Sequence, residues 1–407
     1  MRTLLALLIL LAASVAAPAQ RVDPVALEAA FQAWLQATLW PDAERNGISR
    51  RTFDAAFAGV TLDLGLPELL LPGAAPDGPA IDQAEFRSPA AYFREDYLAT
   101  AVRAGRGLLG EWRDTLAAVE RQFGVPGPVV LAVWSRETAY GAVDLPEDGI
   151  RALATHAFTG RRPDHFRPEL IAALVMIERG DIDRSAIRSS WAGALGQPQL
   201  LPSSYLRFAV DFDRDGDRDV WGSVPDILAT IANVLAQSGW QASEPWGVET
   251  SLPAPEFCAM EGPTRGATNA EWRSLGFAVP GALGPDRATR FLLAPAGTLG
   301  PAFLVSQNFY VVKEYNFSDL YALYVLHLAD RIAGAEGSFA TGWAAIEALD
   351  HGEIQRMQRQ LEALGYDVGG ADGLVGFRTR VAIGAYQRSA GLPVTCFPNA
   401  AVFRSLG

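Results

Sequence analysis

From Val22 to about Gly124 the apolar residues recur at helical spacing, which predicts helices near Val25 to Thr38, Ala90 to Val102 and Leu108 to Phe123. Gly124 reads as the C-cap of the last of these. The stretch from Leu62 to Pro79 is rich in Pro, Gly and Ala and reads as a long surface loop. After Pro126 and Pro128 an apolar helix runs from Val129 to Thr138, and further helices are predicted at Pro168 to Glu178, Pro225 to Gln237 and Asp319 to Ile332. Between Ser243 and Leu304 the helical pattern weakens, and short apolar runs such as Phe291 to Leu293 suit a small strand or loop region. A composition break at Gly334 to Ser338 and Gly352 precedes a final block with helices at Glu353 to Leu364 and Phe377 to Ser389, joined by a turn containing Asp372-Gly373. The pattern therefore predicts a mainly α (α+β) chain.

A length of 407 residues exceeds what one core usually holds. The expected division is a signal peptide at 1–19, a large domain at 22–345 and a terminal domain at 350–407. The signal rests on Arg2, the apolar run Leu4 to Ala13 and the small residues ending in Ala17-Pro18-Ala19. The run is too short to anchor the chain in a bilayer, and no cysteine stands near the cleavage site to carry a lipid, so an exported protein without a membrane anchor is expected.

Composition narrows the chemistry. A net charge of −12, with Lys313 the only lysine, disfavours nucleic acid, whose binding needs basic residues to neutralise phosphates. The two cysteines, Cys258 and Cys396, could oxidise in an exported chain, but they fall in what read as different domains, which argues against a bridge. The four histidines, His156, His165, His327 and His351, lack zinc-ligand spacing, and neither a G-x-S-x-G elbow nor a phosphate loop occurs.

Two segments stand out. In VVLAVWSRETAYG, residues 129–141, Val130, Val133, Trp134 and Glu137 share one helical face, so a carboxylate continues an apolar stripe. Burial there raises a carboxyl pKa and keeps a proton available for donation near neutral pH. The alternative is that Glu137 pairs with Arg136 or another arginine, or faces solvent at a helix end. In SWAGALGQPQLLPSSY, residues 190–205, a Gly- and Pro-rich loop lets backbone approach a ligand, which Ser190, Gln197 and Gln199 could orient. A tight turn with Ser203 capping the next helix accounts for it equally.

RETAYG, SWAGALGQPQ, PSSYLRFAVDFDRDGDRDVWGSVPD and NFYVVKEYNFSDLYAL occur in an order that resembles the lytic murein transglycosylase B family, over nearly all of residues 25–335. The resemblance implies a lysozyme-like helical catalytic domain with a small β/loop subdomain. It implies cleavage between N-acetylmuramic acid and N-acetylglucosamine with a 1,6-anhydromuramoyl end, acting on peptidoglycan glycan strands in a periplasm. On the matching motifs Glu137 resembles the single catalytic acid/base, and Ser190, Gln199 and Tyr140 resemble groups that line the site. Tyr315, Asn316 and Tyr321 resemble residues that position the carboxylate and the sugar. Leu195, Leu200 and Leu201 depart from the methionine or phenylalanine common there, a change that would bear on sugar stacking.

The acidic loop offers Asp211, Asp213, Asp215, Asp217 and Asp219, with Gly216 placed as in an EF-hand but Gly222 where that loop needs Glu. The family resemblance supplies Asp226 as a completing acid for a structural Ca²⁺, although Asp226 with Ser223 also matches a capping pattern. No cofactor is expected for the chemistry itself. The terminal block, through Asp372, Gly373, Gly376, Thr379, Ala382, Tyr386 and Gln387, resembles the peptidoglycan-binding domain type 1 family, a three-helix wall-binding module. A monomer is expected. A hydrolytic muramidase with a second carboxylate and a non-catalytic glycan-binding scaffold remain as rivals.

Overall fold

The computed structural model describes residues 23–71, 88–346 and 349–407. The predicted signal segment, and the predicted loop from residue 72 onward, lie outside the described residues. Among the described residues the chain is mainly helical, and no helix is long and apolar enough to cross a membrane.

Two helical cores carry the large domain. The first gathers Leu98 and Val102 from the helix Glu95–Glu111, Leu116 and Val119 from Arg113–Phe123, and the apolar faces of Gly127–Thr138, Val224–Gln237 and Asp319–Ala333. The predicted helix from Leu108 to Phe123 is divided at Trp112, whose φ of −100° and ψ of 24° leave the helical region, so that both halves turn onto this core. Gly124 caps the second half in the left-handed region, as its position suggested, donating its N–H to Glu120 O at 2.8 Å. The second core packs Pro24–Trp34 and Arg50–Phe57 against Gly149–Thr159 and Pro163–Arg179.

Gly149–Thr159 escaped the periodicity argument because it is buried on nearly every side and so has no polar stripe. Its start is fixed by Asp148, whose Oδ1 accepts from the Ile150 and Arg151 N–H groups at 3.0 and 3.1 Å. Pro163–Arg179 begins at its first proline rather than at Pro168, which sits inside the helix.

A two-residue ladder, β1 (Glu147–Asp148) antiparallel to β2 (Arg188–Ser189), pairs Glu147 with Ser189 and so brings the segment after Glu137 to the start of the 190–205 loop. The weakly patterned region forms a four-stranded antiparallel sheet of β3 (Gly247–Thr250), β4 (Ala267–Thr268), β5 (Thr289–Leu293) and β6 (Ala302–Val305) in the order β3-β6-β5-β4. β6 is buried on both faces. Phe303 and Val305 join the first helical core, and Ala302 and Leu304 pack with Trp272 and Phe277. The terminal block contains the helices His351–Ala363, Phe377–Ser389 and Ala400–Leu406 around Met357, Leu361 and Ile383.

The expected separation of the two cysteines is overturned. Cys258 and Cys396 form a disulfide across 138 residues of sequence, with Cα atoms 6.0 Å apart. The reason is that the terminal block docks directly against the sheet region. A Cβ added at Gly384 would lie 2.3 Å from Cys396 Sγ within the terminal block and 3.3 Å from Ala259 Cβ across the junction, so glycine admits this approach. Beside the disulfide, Arg380 reaches from the terminal block to Glu261 with two bonds of 2.7 and 2.8 Å.

Candidate active site

The helix Gly127–Thr138 threads the first core, with Val130, Leu131, Ala132 and Val133 fully buried, and delivers Glu137 at its C-terminal end. Immediately afterwards Ala139, Tyr140 and Gly141 have φ of 49°, 60° and 82°, a run in the left-handed region that costs conformational energy and turns the chain sharply. At Gly141 a Cβ would sit 2.2 Å from Gln197 Oε1, so the elbow and the 190–205 loop interlock. Gln197 makes the joint: it accepts from Trp134 Nε1 at 2.8 Å, donates to Trp221 O at 2.7 Å, and its backbone carbonyl accepts from Thr138 Oγ1 at 3.0 Å. Expected from sequence to orient a ligand, Gln197 instead has both ends of its amide bound to the protein.

Glu137 is half-buried, so part of it reaches solvent while protein atoms surround the carboxyl group. That desolvation pushes its pKa up to about 7, against a hydrogen bond from Tyr321 and the nearby positive charge of Arg136, which pull it down. The Tyr321 hydroxyl donates to Glu137 Oε1. Tyr321 is itself buried, which keeps its phenol protonated and able to donate. Arg136 does not pair with Glu137. Its guanidinium lies 5.0 Å from the centre of the Tyr92 ring and 5.7 Å from that of Tyr324, and donates to the Tyr92 hydroxyl at 2.9 Å.

Removing the Tyr321 donor should therefore raise the Glu137 pKa. Bonds to charged groups are worth roughly 1.5–3 kcal/mol, and part of that is recovered by water, so Tyr321→Phe should move the basic limb of the activity profile up by about one pH unit. A pH–rate profile of Tyr321→Phe that matches the wild type would contradict this arrangement.

The remaining site residues are placed unevenly. Tyr315 stacks on Tyr321 with ring centroids 6.4 Å apart and donates to Pro198 O at 2.8 Å, which ties the 314–318 loop to the 190–205 loop. Ser190 Oγ accepts from Ala194 N–H at 3.2 Å and helps close its own turn. Gln199 has φ of 55° and donates to Gly196 O at 2.9 Å, with its amide partly exposed. Asn316 is exposed, and among the described residues its side chain has no hydrogen-bond partner. Tyr140 turns away from the carboxylate: its hydroxyl donates to Ala101 O at 2.9 Å and its ring stands edge-on to Trp134. Leu195 and Leu200 are buried beneath the loop, so their difference from methionine or phenylalanine acts through packing rather than sugar stacking.

In the acidic loop the structure gathers Asp211, Asp213 and Asp226, which offer carboxylate oxygens within 4.8 Å of one another. Asp215 and Asp217 stand exposed on the turn outside that cluster, and Asp219 Oδ1 accepts from Trp221 and Gly222 N–H at 2.9 and 2.8 Å. Asp226 is fully buried and organises the loop. Its Oδ1 accepts from Phe212 N–H at 2.7 Å and its Oδ2 from Asp219 N–H at 2.9 Å. Ser223 Oγ caps the helix Val224–Gln237 and donates to Asp213 Oδ2 at 2.7 Å. Asp211 Oδ1 is buried without a partner.

One desolvated carboxyl stands at a strained helix end in a helical domain, an arrangement that keeps a proton available near neutral pH. The chain belongs to the transglycosylase SLT domain family, whose model matches residues 30–330, and a putative peptidoglycan-binding domain model matches residues 350–406. It is similar to SltB3 of Pseudomonas aeruginosa, solved with NAG-anhNAM-pentapeptide: 37% identical, TM-score 0.81, covering 92% of this chain and 99% of that one. It is also similar to Escherichia coli lytic transglycosylase Slt35 solved with calcium, at 28% identity and a TM-score of 0.53, over 60% of this chain and 77% of that one. Membrane-bound lytic murein transglycosylase B of Escherichia coli (strain K12) is 29% identical over 233 residues, 57% of this chain and 64% of the relative, so the match spans less than two thirds of that protein.

Proposed function

We propose that this protein is a periplasmic lytic transglycosylase that cleaves the bond between N-acetylmuramic acid and N-acetylglucosamine in peptidoglycan and leaves 1,6-anhydromuramoyl ends. The observation that carries the reading is the Glu137 carboxyl, with a pKa of about 7 and no second carboxylate perturbing it among the described residues. Ordinary hydrolytic glycosidases use two carboxylates, one as acid and one as nucleophile or water base. A single carboxyl near pH 7 suits a reaction in which the same group gives and then takes a proton.

In that sequence Glu137 protonates the glycosidic oxygen, and the leaving N-acetylglucosamine departs as an alcohol. The neighbouring N-acetyl group supports the cationic muramoyl C1. The carboxylate then removes the proton of the C6 hydroxyl, whose oxygen bonds to C1. No water is consumed, and Glu137 ends protonated as it began. Tyr321 and Tyr315 orient the carboxylate, while Ser190, Gln199 and Asn316 supply polar contacts to the sugars. The family membership and the likeness to SltB3 bound to an anhydro-sugar peptide support this assignment. Masses of muropeptides released from purified sacculi test it: anhydro products are expected, and reducing-end products, one water heavier, would make the protein a muramidase. The terminal domain is a second wall contact that raises the enzyme's local concentration at its substrate.

For the acidic loop we propose a structural Ca²⁺ held by Asp211, Asp213 and Asp226. The buried, unpartnered Asp211 Oδ1 suits such a cation, and Slt35 was solved with calcium. The ion would offset repulsion among the carboxylates and add no step to the chemistry. Calcium at a hundredfold excess over its Kd should stabilise the fold by about 2.7 kcal/mol. Thermal unfolding with Ca²⁺ and then with chelator measures this, and a melting temperature indifferent to both would exclude the site.

A further inference from the structure

The terminal domain does more than sit beside the large domain: a buried row of alternating charges runs from it to the loop that precedes Tyr321. Arg380, on the helix Phe377–Ser389, is almost fully buried. It bonds Glu261 through Nε and Nη2 at 2.8 and 2.7 Å, Val375 O through Nη1 at 2.8 Å, and Asp319 Oδ2 through Nη2 at 2.8 Å. The other oxygen of Asp319 pairs with Lys313 Nζ at 2.7 Å. Burial pushes the Asp319 carboxyl up, but Arg380 and Lys313 outweigh it and hold the group below the ordinary carboxylate range, so Asp319 remains charged, whereas at Glu261 burial outweighs Arg380 and pushes the carboxyl up.

Lys313 ends the helix Gln307–Lys313, and Asp319 begins the helix Asp319–Ala333. Their ion pair closes the base of the loop 314–318, which carries Tyr315 and Asn316. Asp319 also lies in the helical turn that presents Tyr321, whose N–H is capped by Ser318 Oγ at 3.2 Å. Tyr321 in turn donates to Glu137. Each link is a short polar contact in a largely buried setting, where a displaced partner leaves an unpaired charge.

We propose that Arg380, a residue of the terminal domain, is a positioning residue for the Glu137 site: by gripping Asp319 it fixes the loop base and the first helical turn that aim Tyr315 and Tyr321. The proposal rests on the reading of Glu137 as the acid/base, and it makes the terminal domain a structural part of the catalytic centre as well as a wall contact. It involves no substrate contact by Arg380. The groups that face Glu137 remain Tyr321, Arg136 and Tyr315, none of which is changed in the test.

The full-length double variant Glu261→Gln/Arg380→Met removes both partners of the Arg380–Glu261 contact and leaves the Lys313–Asp319 pair matched. Looser aim of Tyr321 should lower kcat on soluble glycan chains by about fivefold, leave KM nearly unchanged and move the basic limb of the kcat profile up by about half a pH unit. The carboxyl titration of Glu137, followed by ¹³C NMR with Glu137→Gln as the assignment control, should move the same way without any substrate. A folded variant with lower thermal stability but the wild-type titration and pH profile would show a merely structural role and overturn the proposal. Should the double variant fail to fold, Arg380→Lys decides in its place, since an ammonium cannot bond Glu261 and Asp319 together as the planar fork does. It should shift the titration in the same direction, and an unmoved titration overturns the proposal. Release of no anhydro product by the wild type would instead defeat the functional reading, while the titration would still decide the fate of Arg380.

Discussion

Glu137→Gln is expected to abolish release of anhydromuropeptides while leaving sacculus binding intact, and to make the protein more stable in alkaline than in acidic solution relative to wild type. The amide is nearly isosteric and can still accept the Tyr321 hydroxyl, but it can neither donate a proton to the glycosidic oxygen nor remove one from the C6 hydroxyl. Loss of both roles should reduce turnover by roughly a thousandfold or more. The stability change follows from the raised pKa, about 7 in the fold against an ordinary 4.5. Below pH 4.5 the carboxyl is protonated whether the chain is folded or not, and its contribution to folding is fully present. Between pH 4.5 and 7 the unfolded chain releases the proton while the folded chain holds it, so stability is lost as pH rises. Above pH 7 the whole cost of a desolvated carboxylate is carried. Glutamine has no such cost, so the variant's advantage should grow from nearly nothing at pH 4 to about 3 kcal/mol at pH 8. Urea unfolding at the two pH values measures it. A gain equal at both, or no gain, would mean that Glu137 is well solvated, and the acid/base role would lose its physical basis.

What the sequence disclosed follows the same physics. Glu137 stood out because a carboxylate continued the Val130, Val133 and Trp134 stripe, but that helix left an ion pair or solvent exposure open, and only the family resemblance singled the residue out. Its partner was not legible from that helix, because Tyr321 lies 184 residues away and meets it only through tertiary packing. The family resemblance supplied that residue; the hydrogen bond explains it. Gln197 misled because a polar side chain in a Gly-rich loop looks free to bind a ligand, whereas Trp134 and Trp221 consume its amide. The placement of Tyr140 was not legible either, since the left-handed turn that follows Glu137 swings its hydroxyl back to Ala101. The set of candidate cation ligands narrowed for a geometric reason: alternating aspartates share a loop, but only Asp211 and Asp213 bring carboxylate oxygens close to those of the buried Asp226. The small sheet was visible as a loss of helical period, though its order, with β6 at the centre beside β3 and β5, depends on pairings that no local pattern contains.

The largest misreading was the disulfide, and it yields the second strong expectation: Cys258→Ser/Cys396→Ser should lower global stability by about 4 kcal/mol. A cross-link over 138 residues removes a large share of the unfolded chain's freedom, and the closed segment includes β5, β6 and the helix that carries Tyr321. Separation in sequence argued against pairing only while the terminal block was taken to hang free. Once Gly384 lets the helix Phe377–Ser389 lie against Ala259 beside Cys258, and Arg380 lies beside Glu261, the two sulfurs belong to one packed interface. Replacement of both cysteines leaves no stray thiol, so the loss should appear as a lower urea midpoint, with a somewhat steeper slope because the unlinked unfolded chain exposes more surface. Dithiothreitol on the wild type should reproduce it. The ion-pair row would then hold the docked geometry alone, and kcat should decline by much less than stability does, because Arg380 can still grip Asp319. A stability loss below about 1 kcal/mol would mean that the unfolded chain already keeps these segments together, and that the interface owes its firmness to the buried charges rather than to the covalent link.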